Sequence, residues 1–222
     1  MANIFTSSIG RKFAMALSAL FLMIFLTMHV SINLISVFSA DAFNEASHFM
    51  GYNFFIQFLM QPILIAGVFF HFIMGFILEI KNKNARGTQG YSYSSNNANS
   101  SWLSRNMIWS GLAILAFMGL HLYDFWMHEI TYKYILKNAV DSSRYYPELV
   151  AKFHNQPLRV GLYVISFIFL MMHLLHGFQS AFQSIGFNHR KYSSFIKKFG
   201  YGFAVIVPIL FIFIAVFHFI NS

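Results

Sequence analysis

Residues 157–182 read PLRVGLYVISFIFLMMHLLHGFQSAF, an apolar run broken by one early charge, Arg159, and carrying two histidines, His173 and His176. At 1.5 Å per residue a helix needs ~20 such residues to cross the hydrocarbon core of a bilayer, and this run is longer than that. The stretches 13–38, 54–80, 102–127 and 199–220 share its character. The expected fold is all-α, an integral membrane bundle of five transmembrane helices forming a single domain over residues 1–222. The first stretch follows Arg11 and Lys12 and precedes Ser39-Ala40-Asp41-Ala42, as a signal peptide would, but it outlasts the ~7–15 residues of a signal core.

Composition points the same way. Residues are 57% hydrophobic and 10% charged, where an average soluble domain is roughly 25% charged. The 29 Phe and 12 Met exceed what one globular core needs, whereas helices in lipid expose such side chains outward. The formal charge of +8 lies in short clusters between apolar runs, so it reads as a topology signal and not as a nucleic-acid face. Without cysteine there is no disulfide and no thiolate for zinc, an iron–sulfur cluster or a covalently linked haem. A metal has to be reached through histidine, methionine or carboxylate.

Ten of the fifteen Lys and Arg fall before the first stretch or in the second and fourth connections, including Lys81, Lys83, Arg86, Arg105, Lys197 and Lys198. The positive-inside rule then places the N-terminus in the cytoplasm and the C-terminus outside. The polar segment after Lys81, through Tyr91 to Asn97, reads as a cytoplasmic loop fit to dock a soluble partner. The opposite stretch 131–156 is mixed and has room for a short interfacial helix. No internal repeat stands out.

His29, His71, His121 and His173 fall one on each of the first four spans. A histidine inside a span is expensive and often functional, although one alone is equally well a hydrogen-bonded packing residue. Depth sorts the four. His29 follows Lys12 by seventeen residues and His121 follows Arg105 by sixteen, about 24–26 Å from the same ends. His71 precedes Lys81 by ten and His173 precedes Gln183 by ten, ~15 Å from those ends. Two pairs result, His29 with His121 and His71 with His173, each at one level as a bis-histidine b-type haem requires, with the levels ~10 Å apart.

Small residues are placed to clear room for a flat macrocycle: Gly75 and Gly177 four residues after His71 and His173, Ser18 eleven before His29, and Ser110 and Gly111 eleven and ten before His121, about three turns away and near the level of the other pair. Ordinary small-residue helix packing accounts for any one of them equally well. His176 competes with His173 as ligand or serves a propionate. His218 has no partner of equal depth and reads as interfacial, while His48, His128, His154 and His189 fall in connections or at helix ends.

Taken together, the segment Asp41-Ala42-Phe43-Asn44-Glu45-Ala46-Ser47-His48-Phe49-Met50, His71 with Gly75, Ser110-Gly111 ahead of His121-Leu122-Tyr123, and His173-Leu174-Leu175-His176-Gly177 resemble the five-helix, dihaem membrane cytochrome b subunit of succinate:quinone oxidoreductases (bacterial succinate dehydrogenases and fumarate reductases that use menaquinone). The resemblance spans nearly the whole chain. It implies two haems b, with His29 and His121 on the distal, outer iron and His71 and His173 on the proximal, inner one. It also implies a bacterial cytoplasmic membrane, and a flavoprotein carrying FAD and an iron–sulfur subunit docked on the cytoplasmic face. Membrane quinone would be the substrate near the outer surface, and no complete succinate site lies in this chain. Family members can carry a basic residue for a propionate early in the third helix; here Ile108 stands there, with Arg105 one turn earlier. Candidate proton donors for the quinone are Glu45, His48, Asp124 and Glu129, each equally readable as a solvated loop group. A cytochrome b subunit of a hydrogenase, formate dehydrogenase or nitrate reductase, and a haem-free transporter with a histidine proton path, remain open, as does assembly into a higher oligomer.

Overall fold

A computed structural model describes residues 7–86, 106–187 and 189–221, without the side chains of residues 85, 86 and 190. Five helices are long and apolar enough to cross a membrane, which makes this a multi-pass membrane protein, and the described residues contain no strand. Helix α1 (Ser8–Phe38) starts where the Ser7 hydroxyl accepts from the Gly10 N–H at 3.0 Å. It stops at the extended Ser39, whose hydroxyl caps α2 (Ala40–Tyr52) by accepting from the Ala42 N–H. A π-helical turn, Ile56–Met60, leads into α3 (Gln61–Arg86). Helix α4 (Met107–His121) runs on through Met127–Ile130, with π-helical turns at Leu122–Trp126 and Thr131–Ile135 on either side. After the short α5 (Tyr145–Phe153), α6 (Pro157–Ser184) opens on a proline, whose missing N–H costs nothing in a first turn, and α7 (Arg190–Ile220) completes the bundle.

The spans lie where the sequence puts them, but several ends move. The third continues past Met127 to Ile135, and the fifth starts at Arg190 because the charged RKYSSFIKKF segment is already helical. Residues Lys81 to Arg86 belong to α3, and the rest of the expected cytoplasmic loop, 87–101, lies outside the described residues, as do 102–105 at the start of the third stretch. Within 131–156 the short helix is α5, and the segment around Glu45 and His48, read as a connection, is the helix α2.

Four helices close into a ring in the order α1, α3, α4, α6, so that α1 faces α4 and α3 faces α6 across its centre; α7 packs outside against α6 and α1. Lipid is as apolar as leucine, so close van der Waals contact holds these seams. The longest is α6–α7, where Ala204 is fully buried and Gly200 lets the Phe178 ring lie against the α7 backbone.

At the end away from the N-terminus, α2 and α5 pack together over the bundle, joined by the Tyr146 N–H donating to Asn44 Oδ1 at 2.7 Å. An ionic cluster lies beneath them. Arg144 donates to Glu129 and to Glu148, Lys133 pairs with Glu129, and the Arg144 guanidinium lies 4.0 Å from the Tyr132 ring centre. Burial works against the Arg144 charge, but the two carboxylates outweigh it and hold the guanidinium above its ordinary range.

Gly200→Ala would set a methyl group onto the Phe178 ring, whereas a Cβ at Gly202 meets nothing within 4 Å. The first variant should lower stability by about 1–3 kcal/mol and the second should change it little, read from thermal unfolding in detergent.

Candidate functional site

His71 on α3 and His173 on α6 face each other across the ring of helices, with ring centroids 6.4 Å apart and planes at 67°. Each is tethered from the neighbouring helix by a serine. Ser18 Oγ lies 3.0 Å from Nδ1 of His71, and Ser110 Oγ lies 3.1 Å from Nδ1 of His173. Both hydroxyls donate their single hydrogen to the carbonyl three residues back, on Met15 at 2.8 Å and on Met107 at 2.9 Å. Toward the imidazole each serine oxygen therefore accepts, and Nδ1 carries the proton. That tautomer leaves the Nε2 of both rings with a free lone pair.

These contacts repeat within the chain. Met15, Ser18 and His29 recur 92 residues later as Met107, Ser110 and His121, and His71 and Gly75 recur 102 residues later as His173 and Gly177. The Met15 methyl approaches the Cβ position of Gly75 at 3.6 Å, and the Met107 methyl that of Gly177 at 3.4 Å. The hairpins α1–α3 and α4–α6 thus carry one pattern twice, a repeat too sparse to stand out in sequence. Gly75 and Gly177 face methionine methyls, while Gly111 lies against the His173 ring, whose Cε1 is 3.8 Å from its Cβ position.

The second pair sits farther along α1 and α4, the two helices that carry Ser18 and Ser110. His29 on α1 and His121 at the end of α4 have ring centroids 5.7 Å apart and planes at 89°. Here the surroundings are aromatic. Phe25 stacks on His29 at 5.3 Å and Phe211 lies at 5.6 Å, while Phe117, Phe125 and Tyr163 surround His121 at 5.6, 5.2 and 6.3 Å. Nδ1 of His121 is buried without a hydrogen-bond partner among the described residues. Ser18 shares a level with His71 and stands eleven residues before His29, so the two pairs are ~16 Å apart along the bundle. The expected ~10 Å was too short because it was measured partly from Lys12, Lys81 and Gln183, none of which is a helix end. Both α3 and α6 run past the residues used as depth marks, to Arg86 and Ser184.

His173, and not His176, turns its ring to His71; His176 is half-buried one turn on. His218, in the last turn of α7, is fully buried and does have a partner: Ser36 Oγ, near the end of α1, lies 2.8 Å from His218 Nε2. Of the quinone candidates, Glu45 is exposed on α2, and Glu129 is engaged by Lys133 and Arg144. His48 lies within α2, half-buried, its ring tilted against Tyr52 at 4.6 Å and 6.3 Å from Tyr145. The Tyr145 hydroxyl is held above its ordinary range, first by burial and then by the Glu129 carboxylate. The structure thus groups His48 and Glu129 around Tyr145 and leaves Glu45 outside.

Asp124 stands apart from both. It is completely buried, accepts from the Tyr163 hydroxyl at 2.9 Å and pairs with Arg159 Nε at 3.4 Å. Tyr163 and Arg159 escaped the sequence reading. The available signal was that a carboxylate inside a span needs a cation at equal depth, and Arg159 opens the next span. Arg105, the substitute propionate partner, lies outside the described residues.

No group of three or more His, Asp or Glu gathers into a metal site among the described residues. What the bundle offers is two imidazoles at each of two levels, a donor set for an ion that brings equatorial ligands of its own. No family model matches this chain, and no curated protein or solved structure matches it significantly.

Tyr163→Phe leaves Asp124 Oδ2 with Arg159 alone and should cost about 1–3 kcal/mol of stability. Replacing the exposed Glu45 by Ala should change stability by less than ~0.5 kcal/mol. Paired thermal denaturation curves check both.

Proposed function

We propose that the chain is the dihaem cytochrome b membrane subunit of a succinate:menaquinone oxidoreductase. The observation that carries this reading is the pair of imidazole pairs, each spanning one diagonal of the helix ring. A metal held by one nitrogen of each ring, with metal–nitrogen bonds of about 2 Å, would need the two imidazoles of a pair close on either side of it. The rings of the two pairs lie 6.4 and 5.7 Å apart. His71 and His173 would hold the inner haem iron, and His29 and His121 the outer one.

When bound, the haems supply one-electron transfer across the apolar layer. The chain's own residues do the rest. Four neutral imidazoles ligate, Ser18 and Ser110 present Nε2 at the inner level, and the phenylalanines around His29 and His121 exclude water at the outer one. Methionine side chains are flexible, so Met15 and Met107 beside Gly75 and Gly177 can yield to a macrocycle.

Charge supports the orientation with the N-terminus in the cytoplasm of a bacterium. By sequence position the N-terminal end of the bundle carries ten Lys and Arg against one acid, Glu79; the far end carries five against six. The basic face would receive the iron–sulfur subunit and its flavoprotein, which hold the clusters and FAD. Quinone would meet the far end, where His48, Tyr145 and Glu129 offer polar groups beneath α2.

The purified chain should contain two b-type haems, seen in the dithionite-reduced spectrum. His29→Leu and His121→Leu should each leave the same single haem, His71→Leu and His173→Leu should each leave the other, and succinate should reduce quinone once the native partners are added. Fewer than two haems in the unsubstituted chain, or residual spectra that do not sort into these pairs, would refute the assignment.

A further inference from the structure

We infer that Ser18 and Ser110 are positioning residues for the inner iron, fixing the tautomer and raising the donor strength of His71 and His173, and that they thereby set the inner haem's potential apart from the outer one's. This rests on the reading of the four histidines as haem ligands.

Most hydroxyls in these helices do nothing of the kind. Thr27, Ser31 and Ser166 donate to the carbonyl four residues back, the usual way a hydroxyl is satisfied within a span. Ser18 and Ser110 donate three residues back and thereby turn their oxygen toward a histidine on the next helix. Both are almost fully buried, at 9% and 4% exposure, so water does not compete for the imidazole N–H. Ser36 uses the same geometry on His218 but takes Nε2, the opposite nitrogen. Among the described residues, the serines at the inner pair take Nδ1 on both rings and leave Nε2.

An imidazole that donates its distal N–H to an oxygen is a stronger donor through its other nitrogen, because the proton is partly shared. In a low-dielectric interior this effect is enlarged. A stronger axial donor favours the more highly charged ferric state and lowers the midpoint potential. At the outer level Nδ1 of His121 is buried without a hydrogen-bond partner among the described residues, so this ligand receives no comparable support. The same hydrogen bonds also hold the rotation of each ring, and with it the 67° between the two planes.

The test is a redox titration of both haems in the full-length chain, with the inner haem identified as the one lost in His71→Leu. Ser18→Ala, Ser110→Ala and the double variant should shift the inner midpoint upward, most in the double, leave the outer midpoint in place and alter the inner haem's ferric low-spin resonance. Ser18→Thr and Ser110→Thr keep the hydroxyl and should restore the original values. Loss of the inner haem in the alanine variants alone, with rescue by threonine, also supports the tether. Unmoved midpoints in protein retaining both haems, equal shifts of both haems, or failure of threonine to rescue would overturn it. An unsubstituted chain without two haems would remove the ligand reading itself, and this proposal with it.

Discussion

An imidazole inside a hydrocarbon layer brings one N–H and one lone pair, and each needs a partner that lipid does not supply. The polar contacts at the inner level of the bundle follow from satisfying such rings. The inner two have their N–H groups taken by Ser18 and Ser110, which leaves the lone pair of each ring on Nε2, inside the ring of helices. Two lone-pair nitrogens on rings facing across 6.4 Å invite an electron-pair acceptor between them. The ring order α1, α3, α4, α6 makes this geometry available twice, because it puts each pair on opposite helices rather than adjacent ones.

The two levels solve the same problem differently. Inner imidazoles are tethered by hydroxyls; outer ones are caged by Phe25, Phe211, Phe117 and Phe125. Next to the outer cage lies the most polar buried feature of the bundle, Asp124 with Tyr163 and Arg159, and Tyr163 touches both the carboxylate and the His121 ring. The π-helical turn that begins at Leu122 carries Asp124, so a local change in helix pitch directly after a candidate ligand coincides with the turn of that carboxylate toward α6. Above it the Glu129–Arg144–Glu148 cluster fixes α5 to the end of the third span, giving the far end a rigid lid built from neighbours in sequence and in space.

Much of this was legible in the chain. Span number follows from apolar length, the pairing of His29 with His121 and of His71 with His173 from counting residues to Lys12, Arg105, Lys81 and Gln183, and the preference for His173 over His176 from that depth and from Gly177 four residues on. What counting cannot see is where a helix really ends. Residues 190–198 are charged yet helical, and the segment after Lys81 continues α3, so depths measured from charges placed the two levels too close. Partners on distant helices were also invisible: His218 looked solitary because Ser36 is 182 residues away, and Asp124 looked solvated because its cation and hydroxyl belong to the next span. The eleven-residue interval from Ser18 to His29 and from Ser110 to His121 was readable as three helical turns, but which histidine each serine serves depends on the neighbouring helix.

The central claim is that four imidazoles from four spans meet two by two around iron. An experimental density map of the chain purified in lipid tests it most directly. It should show two flat, porphyrin-sized features ~16 Å apart along the bundle, one crossed by the side chains of His71 and His173 and the other by those of His29 and His121. Continuous side-chain packing at either level, or flat density ligated by any other residues, would contradict it.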